Sequence, residues 1–77
     1  MKNYQLIIRI ESITCVGCMN RITQTLTAMG AEQVDIDIST KIAKIFYEGK
    51  KEDGTTYFEA VNHMGYPSEY LILMEVD

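Results

Sequence analysis

The sequence has no tryptophan, a single proline, one histidine and only two cysteines among its 77 residues. Two cysteines cannot build the disulfide framework of many small secreted domains, so the core must be held by packing. Arg9 interrupts the apolar run Leu6-Ile7-Ile8, which is too short for a signal-peptide core or a transmembrane span. We therefore expect a cytoplasmic protein with free thiols, one domain over residues 1–77 and no direct membrane insertion.

Positive charge is also scarce, with seven Lys and Arg residues against eleven Asp and Glu residues and a net charge of −4. Lys50 and Lys51 form the only adjacent basic pair, so a phosphate backbone would find little to bind and we expect no nucleic-acid partner. Hydrophobic residues make up 47% of the chain and charged residues 23%, a composition typical of globular domains. The chain is therefore expected to fold without a metal.

Hydrophobic periodicity predicts a strand, a helix and a hairpin in the first half of the chain. Apolar and polar residues alternate over residues 4–11, which predicts a first strand. Apolar residues recur at helical spacing over residues 16–29, and Gly30 is suited to end this helix. Residues 34–38 and 43–47 alternate on either side of a polar turn and together predict a β-hairpin.

The second half of the chain predicts a loop, a helix and a final strand. The polar residues 48–54 are expected to form the loop, after which Thr55 or Thr56 would cap a second helix. Glu59 would complete a capping box with Thr56, and residues 70–76 are rich in β-forming residues. The resulting order, βαββαβ, predicts an α+β ferredoxin-like sandwich with a four-stranded antiparallel sheet, both helices on one face and a solvated, charged opposite face.

The chemistry of the chain is concentrated in Cys15 and Cys18, which lie where the first strand ends and the first helix begins. Unpaired backbone N–H groups and the helix dipole favour thiolate over thiol at such a position. Two soft thiolates without further nearby ligands suit copper(I) better than magnesium, calcium or manganese. The motif predicts a metal site with Cys15 and Cys18 as the ligands.

The same cysteine spacing also occurs in zinc sites and in thioredoxin-type redox sites. A structural zinc site needs four ligands, and only His63 and carboxylates could complete one here. A thioredoxin-type site needs a larger fold and a cis-proline opposite the motif, and Pro67 is the sole proline. A metal-independent interaction domain is a third alternative. No acid–base pair, nucleophile–base arrangement or phosphate loop is visible, so we expect no enzyme activity.

The chain resembles one known family at positions spread over nearly its whole length. This family is the heavy-metal-associated domains of copper chaperones, copper-transporting P-type ATPases and mercury-binding proteins. The resemblance implies that Cys15 and Cys18 are metal ligands and that copper(I) passes from one such cysteine pair to another. The matching residues are Thr14-Cys15-Val16-Gly17-Cys18, Ile22, Leu26, Val34, Ile36, Ile38, Ala43, Ile45, Tyr47 and Gly65-Tyr66.

The resemblance implies a bacterial-type copper(I) chaperone that delivers its ion to the metal-binding domain of a copper-transporting P-type ATPase. Because the chain begins at Met1 and ends just after the last predicted strand, we expect a free-standing monomer. The alternatives are an excised N-terminal domain of a metal-transporting ATPase or mercuric reductase, a mercury(II)- or zinc(II)-binding protein, and a dimer bridged by the metal.

The chain departs from the family's pattern just before the motif, where Ser12-Ile13 replaces the usual Gly-Met. Ile13 is similarly bulky but stiffer at χ1, so we expect it to pack under the loop with both ligands retained. Tyr66 matches a tyrosine near the metal in bacterial-type chaperones, and the alternative is that it only closes the end of the core. His63 and Met19 are expected to have no metal role.

Overall fold

The computed structural model describes residues 2–76 and contains one four-stranded antiparallel sheet with two helices, which confirms the ferredoxin-like prediction. The strand order in the sheet is β2-β3-β1-β4. Neither of the helices in this part of the chain has the length and apolar character needed to cross a membrane. The elements are β1 (Lys2–Ile10), α1 (Val16–Ala28), β2 (Gln33–Asp37), β3 (Ile42–Gly49), α2 (Asp53–His63) and β4 (Ser68–Glu75).

The core lies between the helices and one face of the two central strands. In the β1–β3 register Leu6 is opposite Ile45 and Ile8 is opposite Ala43, and all four side chains are fully buried. Every second residue of a strand points to the same face, so the alternation in the sequence produces this apolar layer. The remaining buried apolar residues are Ile10, Ile13, Ile22, Leu26, Ala31, Tyr47, Tyr57 and Val61.

The opposite face of the sheet is charged at strands β2 and β3 and apolar at the edge formed by β4. Asp35 of β2 is opposite Lys44 of β3, as expected for a solvated face. Ile7 of β1 is opposite Ile72 of β4, so the predicted charged character does not extend to this edge strand. Exposed large apolar side chains are concentrated on β4, namely Tyr70, Leu71, Ile72 and Met74.

Helix α2 begins earlier than predicted, and the predicted cap is wrong. Its N-cap residue is Glu52, without a side-chain capping bond, so the capping box of Thr56 and Glu59 does not form. Side-chain bonds to the backbone of the preceding turn fix the start instead, because Asp53 Oδ2 accepts a hydrogen bond from the Lys50 N–H at 3.1 Å. The predicted loop over residues 48–54 is therefore shortened to the residues between β3 and α2.

A close approach rather than a turn favours glycine at the start of this helix. A Cβ atom on Gly54 would lie 3.1 Å from the Tyr47 hydroxyl and 3.2 Å from a methyl group of Leu73. The Tyr47 hydroxyl donates to the carbonyl oxygen of Lys50 at 3.0 Å. The buried Tyr47 side chain thus binds the turn that leads into α2. This bond explains why the helix begins before Thr55 and Thr56.

The other element boundaries differ from the predictions by one or two residues. Strand β2 ends at Asp37 because its Oδ1 accepts the Ser39 N–H at 2.8 Å, so Ile38 lies in the turn rather than in the strand. Helix α1 ends at Ala28, and Gly30 follows with a φ of 118°. This positive φ confirms the prediction that Gly30 ends the helix.

Candidate metal centre

Cys15 is the N-cap residue of α1, with an extended backbone (φ −143°, ψ 156°). Its Sγ accepts a hydrogen bond from the backbone N–H of Cys18 at 3.2 Å. A serine or aspartate oxygen usually fills this role at a helix start, and here a sulfur does so. The first turn of α1 contains no acidic side chain, so the positive end of the helix is available to the thiolates.

The two cysteines sit at the surface as free thiols. Cys15 is exposed and Cys18 is half-buried. Val16, the residue after Cys15, has 64% of its surface exposed, and a Cβ atom on Gly17 would be no nearer than 4.0 Å to the Cys15 sulfur. Cys15 is therefore accessible from solvent, and Cys18 is partly accessible.

The surroundings of Cys18 favour its ionised form. Hydrogen bonding to the Cys15 side chain lowers the pKa of the Cys18 thiol most, followed by hydrogen bonding to the Tyr66 side chain. Backbone groups of Thr14 and Cys15 lower this pKa further, and desolvation opposes them. The same contact raises the pKa of Tyr66, since hydrogen bonding to Cys18 is the largest cause of that shift. The interaction with Tyr66 therefore favours the thiolate form of Cys18.

Tyr66 reaches the site from the turn between α2 and β4, and Asn62 holds this turn. Asn62 Nδ2 donates to the carbonyl oxygen of Phe58 at 2.9 Å, and its Oδ1 accepts the Ser68 N–H at 2.8 Å. Tyr66 also packs against the core, and its role beside a bound metal stays a prediction. The sequence analysis did not identify Asn62, whose partner Ser68 lies beyond the end of the helix.

Ile13 fills the position under the loop as expected, and it is fully buried. Its N–H donates to the carbonyl oxygen of Ile10 at 3.3 Å, which closes the turn between β1 and the cysteine motif. The stiff β-branched side chain therefore anchors the segment that leads to Cys15.

The donor set is small. In residues 2–76 no group of three or more His, Cys, Asp and Glu side chains is placed to hold a metal ion. His63 is exposed in the last turn of α2, and Met19 is half-buried against the core. A closed tetrahedral zinc site needs four ligands, whereas two sulfurs suit a soft ion of low coordination number. Two sulfurs therefore fit copper(I) or mercury(II) better than zinc(II).

Fold and site together define an α+β domain with an exposed Cys-x-x-Cys pair at the start of its first helix. No protein-family model matches the chain. A copper-exporting P-type ATPase of Staphylococcus epidermidis is 32% identical over 66 residues, which are 86% of this chain and 8% of the ATPase. The chain thus spans less than a tenth of the length of this curated relative.

Solved structures match the fold over almost the whole chain. The yeast copper transporter domain Ccc2a, solved in apo and copper(I)-loaded states, has a TM-score of 0.79 at 25% identity and covers 90% of this chain and 96% of its own. A chain of the Atx1-Cu(I)-Ccc2a complex also matches, with a TM-score of 0.76 at 25% identity and the same two shares. Oxidised MerP from Ralstonia metallidurans, at 20% identity, shares the fold, with a TM-score of 0.77 over 91% of this chain and 99% of its own. These similarities support the heavy-metal-associated domain family without distinguishing a chaperone from an ATPase domain.

Proposed function

We propose that this chain is a heavy-metal-associated domain that binds one copper(I) ion between the thiolates of Cys15 and Cys18 and passes it to another cysteine-bearing domain. The observation that carries the proposal is the Cys15 Sγ to Cys18 N–H hydrogen bond of 3.2 Å at an accessible helix start. It brings both sulfurs to one end of the helix, where backbone N–H groups and the dipole favour thiolates. Similarity to a copper-exporting ATPase and to the copper(I)-loaded yeast domain supports copper as the ion.

Transfer would proceed by exchange of sulfur ligands. A thiolate of the partner forms a bond to the copper ion as the bond from the ion to Cys15 or Cys18 breaks. A second exchange of the same kind then frees the ion from the remaining cysteine, with no change in oxidation state. Each released thiolate then takes up a proton from solvent. Exposure of Cys15 and the low ligand number leave room for the attacking sulfur. The reducing cytoplasm is the compartment in which both thiols would remain available.

The proposed partner is the metal-binding domain of a copper-transporting P-type ATPase, in line with the Atx1–Ccc2a complex among the structural matches. NMR titration of the copper-loaded chain with such a domain tests this partner. We expect shifts around residues 12–22 and 65–68 and weak, salt-sensitive association. Shifts confined to the outer face of the sheet would contradict the proposal.

A second candidate function is that of a metal-binding domain within a larger copper-transporting ATPase. The observation that favours it is the 8% share of the Staphylococcus epidermidis ATPase that the match covers. The size of the native protein, detected in cell extracts with an antibody against this domain, distinguishes the two forms. A band near the 8.8 kDa of this chain indicates a free-standing carrier, and a band of ATPase size indicates a domain.

Mercury(II) and zinc(II) are the competing ions. An anaerobic competition titration of the three metals against the wild-type chain tests the choice directly. We expect one copper(I) ion to bind per chain and to displace zinc(II), because two thiolates without further ligands leave zinc undercoordinated. Displacement of copper(I) by equimolar zinc(II) would overturn the proposed metal.

A further inference from the structure

Lys41, in the turn between β2 and β3, contacts both ends of the turn that precedes the cysteine motif. The N–H of Ile10 donates to the carbonyl oxygen of Lys41 at 2.7 Å. The ammonium group of Lys41 donates to the carbonyl oxygen of Ile13 at 3.2 Å, although 28 positions separate the two residues. One residue therefore holds the end of β1 and the residue two positions before Cys15.

The backbone of Lys41 is itself fixed in a conformation that few side chains adopt. Its φ is 63°, a left-handed value for which glycine is the usual residue. The Lys41 N–H donates to the carbonyl oxygen of Asp37 at 2.7 Å, and Asp37 Oδ1 accepts the N–H groups of Ser39 and Thr40. The Lys41 side chain thus extends from a turn whose backbone is fixed by hydrogen bonds. A lysine at a position with a glycine-type φ indicates a role for its side chain.

We infer that Lys41 is a positioning residue for the metal site, an inference that rests on the function proposed above. Its two bonds confine the segment between Ile10 and Ile13, so Cys15 enters the helix start from a fixed direction. A loop that is already ordered has a larger fraction of chains ready to bind, and the apparent affinity rises in proportion to that fraction. Lys41 thereby raises copper(I) affinity without touching the ion.

Copper(I) affinity of Lys41→Met, measured anaerobically by competition, tests this role, with Lys44→Met as the matched control. Lys44 is an exposed residue of β3, and its substitution removes the same charge from the same hairpin. We expect Lys41→Met to bind copper(I) about three- to tenfold more weakly, on the order of the loss of one charge-assisted hydrogen bond at a partly exposed site. Lys41→Arg should bind within about twofold of wild type, because it keeps a cationic donor.

Lys41→Gly separates loop ordering from overall stability. Glycine adopts a φ of 63° without strain, so this variant should fold, and we expect the same weaker copper binding. NMR order parameters of residues 12–14 in the metal-free proteins should fall in Lys41→Met and Lys41→Gly but not in Lys44→Met.

Wild-type affinity in both Lys41→Met and Lys41→Gly would overturn the inference, as would equal losses in Lys41→Met and Lys44→Met. A wild-type chain that binds no copper(I) would overturn the proposed function instead. In that case the order parameters still decide whether Lys41 fixes the loop, because they are measured without metal.

Discussion

Tyr66 and Cys18 shift each other's pKa values in opposite directions across the surface of the site. Hydrogen bonding with Tyr66 helps to lower the pKa of the Cys18 thiol, and the same interaction is the main cause that raises the pKa of Tyr66. The two residues are 48 positions apart in the sequence, and the turn after α2 brings them together. The interaction therefore favours the thiolate form of Cys18 and the protonated form of Tyr66.

Replacement of Tyr66 by phenylalanine is expected to raise the pKa of Cys18, because one donor to the thiolate is lost. Alkylation by iodoacetamide as a function of pH measures this pKa, and copper(I) retention during acid titration should shift in step. Protons compete with the metal for the sulfur, so the variant should release copper(I) at a higher pH than wild type. Tyr70→Phe, a change on the exposed strand β4, is the control. An unchanged alkylation profile in Tyr66→Phe would refute the pairing.

The alkaline stability of the domain is expected to depend on Tyr47. Burial raises the pKa of Tyr47 to about 12 from its ordinary value of 10.0. Because the folded-state pKa is raised, its contribution to stability is complete below about pH 10 and is lost as the pH rises toward 12. Tyr57 also has a raised pKa and adds to the same slope.

The unfolding free energy of Tyr47→Phe is therefore expected to fall less steeply than that of wild type as the pH rises through this alkaline range. At neutral pH it should lose about 1 kcal/mol of unfolding free energy, since the hydroxyl no longer bonds the Lys50 carbonyl oxygen. Urea unfolding across the pH range measures both effects. Tyr4→Phe, which leaves the Tyr47 hydroxyl in place, should retain the wild-type slope, and identical slopes for Tyr47→Phe and wild type would count against this assignment.

Because Ile13 packs under the metal loop, its substitution is expected to lower the unfolding free energy of the domain. Ile13→Ala removes a fully buried side chain and should lower the unfolding free energy by about 2–4 kcal/mol. Ile13→Met, which introduces the residue usual in the domains that the chain resembles, should change it by less than about 1.5 kcal/mol because the volume is similar. Val16→Ala, at a residue with 64% of its surface exposed, is the control and should have little effect. Comparable losses in Ile13→Ala and Val16→Ala would show that the loop is not anchored by the core.

The metal-free domain is expected to remain folded, since twelve buried apolar residues among residues 2–76 form a core to which no metal ligand contributes. Dispersed amide resonances should persist after treatment with a copper(I) chelator under reducing conditions. Loss of amide chemical-shift dispersion after chelation, as in a random coil, would indicate a structural rather than a carried metal.

Local sequence patterns were sufficient for most of the fold, because residues that share a face repeat at fixed intervals. The alternation of Leu6, Ile8 and Ile10 predicted the buried face of β1, and the position of Cys15 and Cys18 at a helix start follows from the same patterns. The start of α2 was mispredicted because Tyr47 and Asp53 fix it through side-chain hydrogen bonds to backbone groups of the turn before the helix, which helix propensity does not encode.

The supporting residues of the site could not be predicted for a related reason. The Lys41 ammonium group meets a backbone carbonyl 28 residues away, and any residue type can provide that acceptor. Asn62 similarly binds backbone groups of Phe58 and Ser68. A sequence pattern carries no signal for such bonds, so the structure was needed to find both residues.

The central claim is that both cysteines together hold one copper(I) ion, and an anaerobic competition titration of wild type, Cys15→Ser and Cys18→Ser tests it most directly. Met19→Leu is the matched control, since it removes the neighbouring thioether and keeps both thiols. We expect one ion per chain in wild type and Met19→Leu, and loss of tight binding in each serine variant, because a hydroxyl is a poor ligand for a soft ion. Wild-type copper(I) affinity in either serine variant would contradict the account.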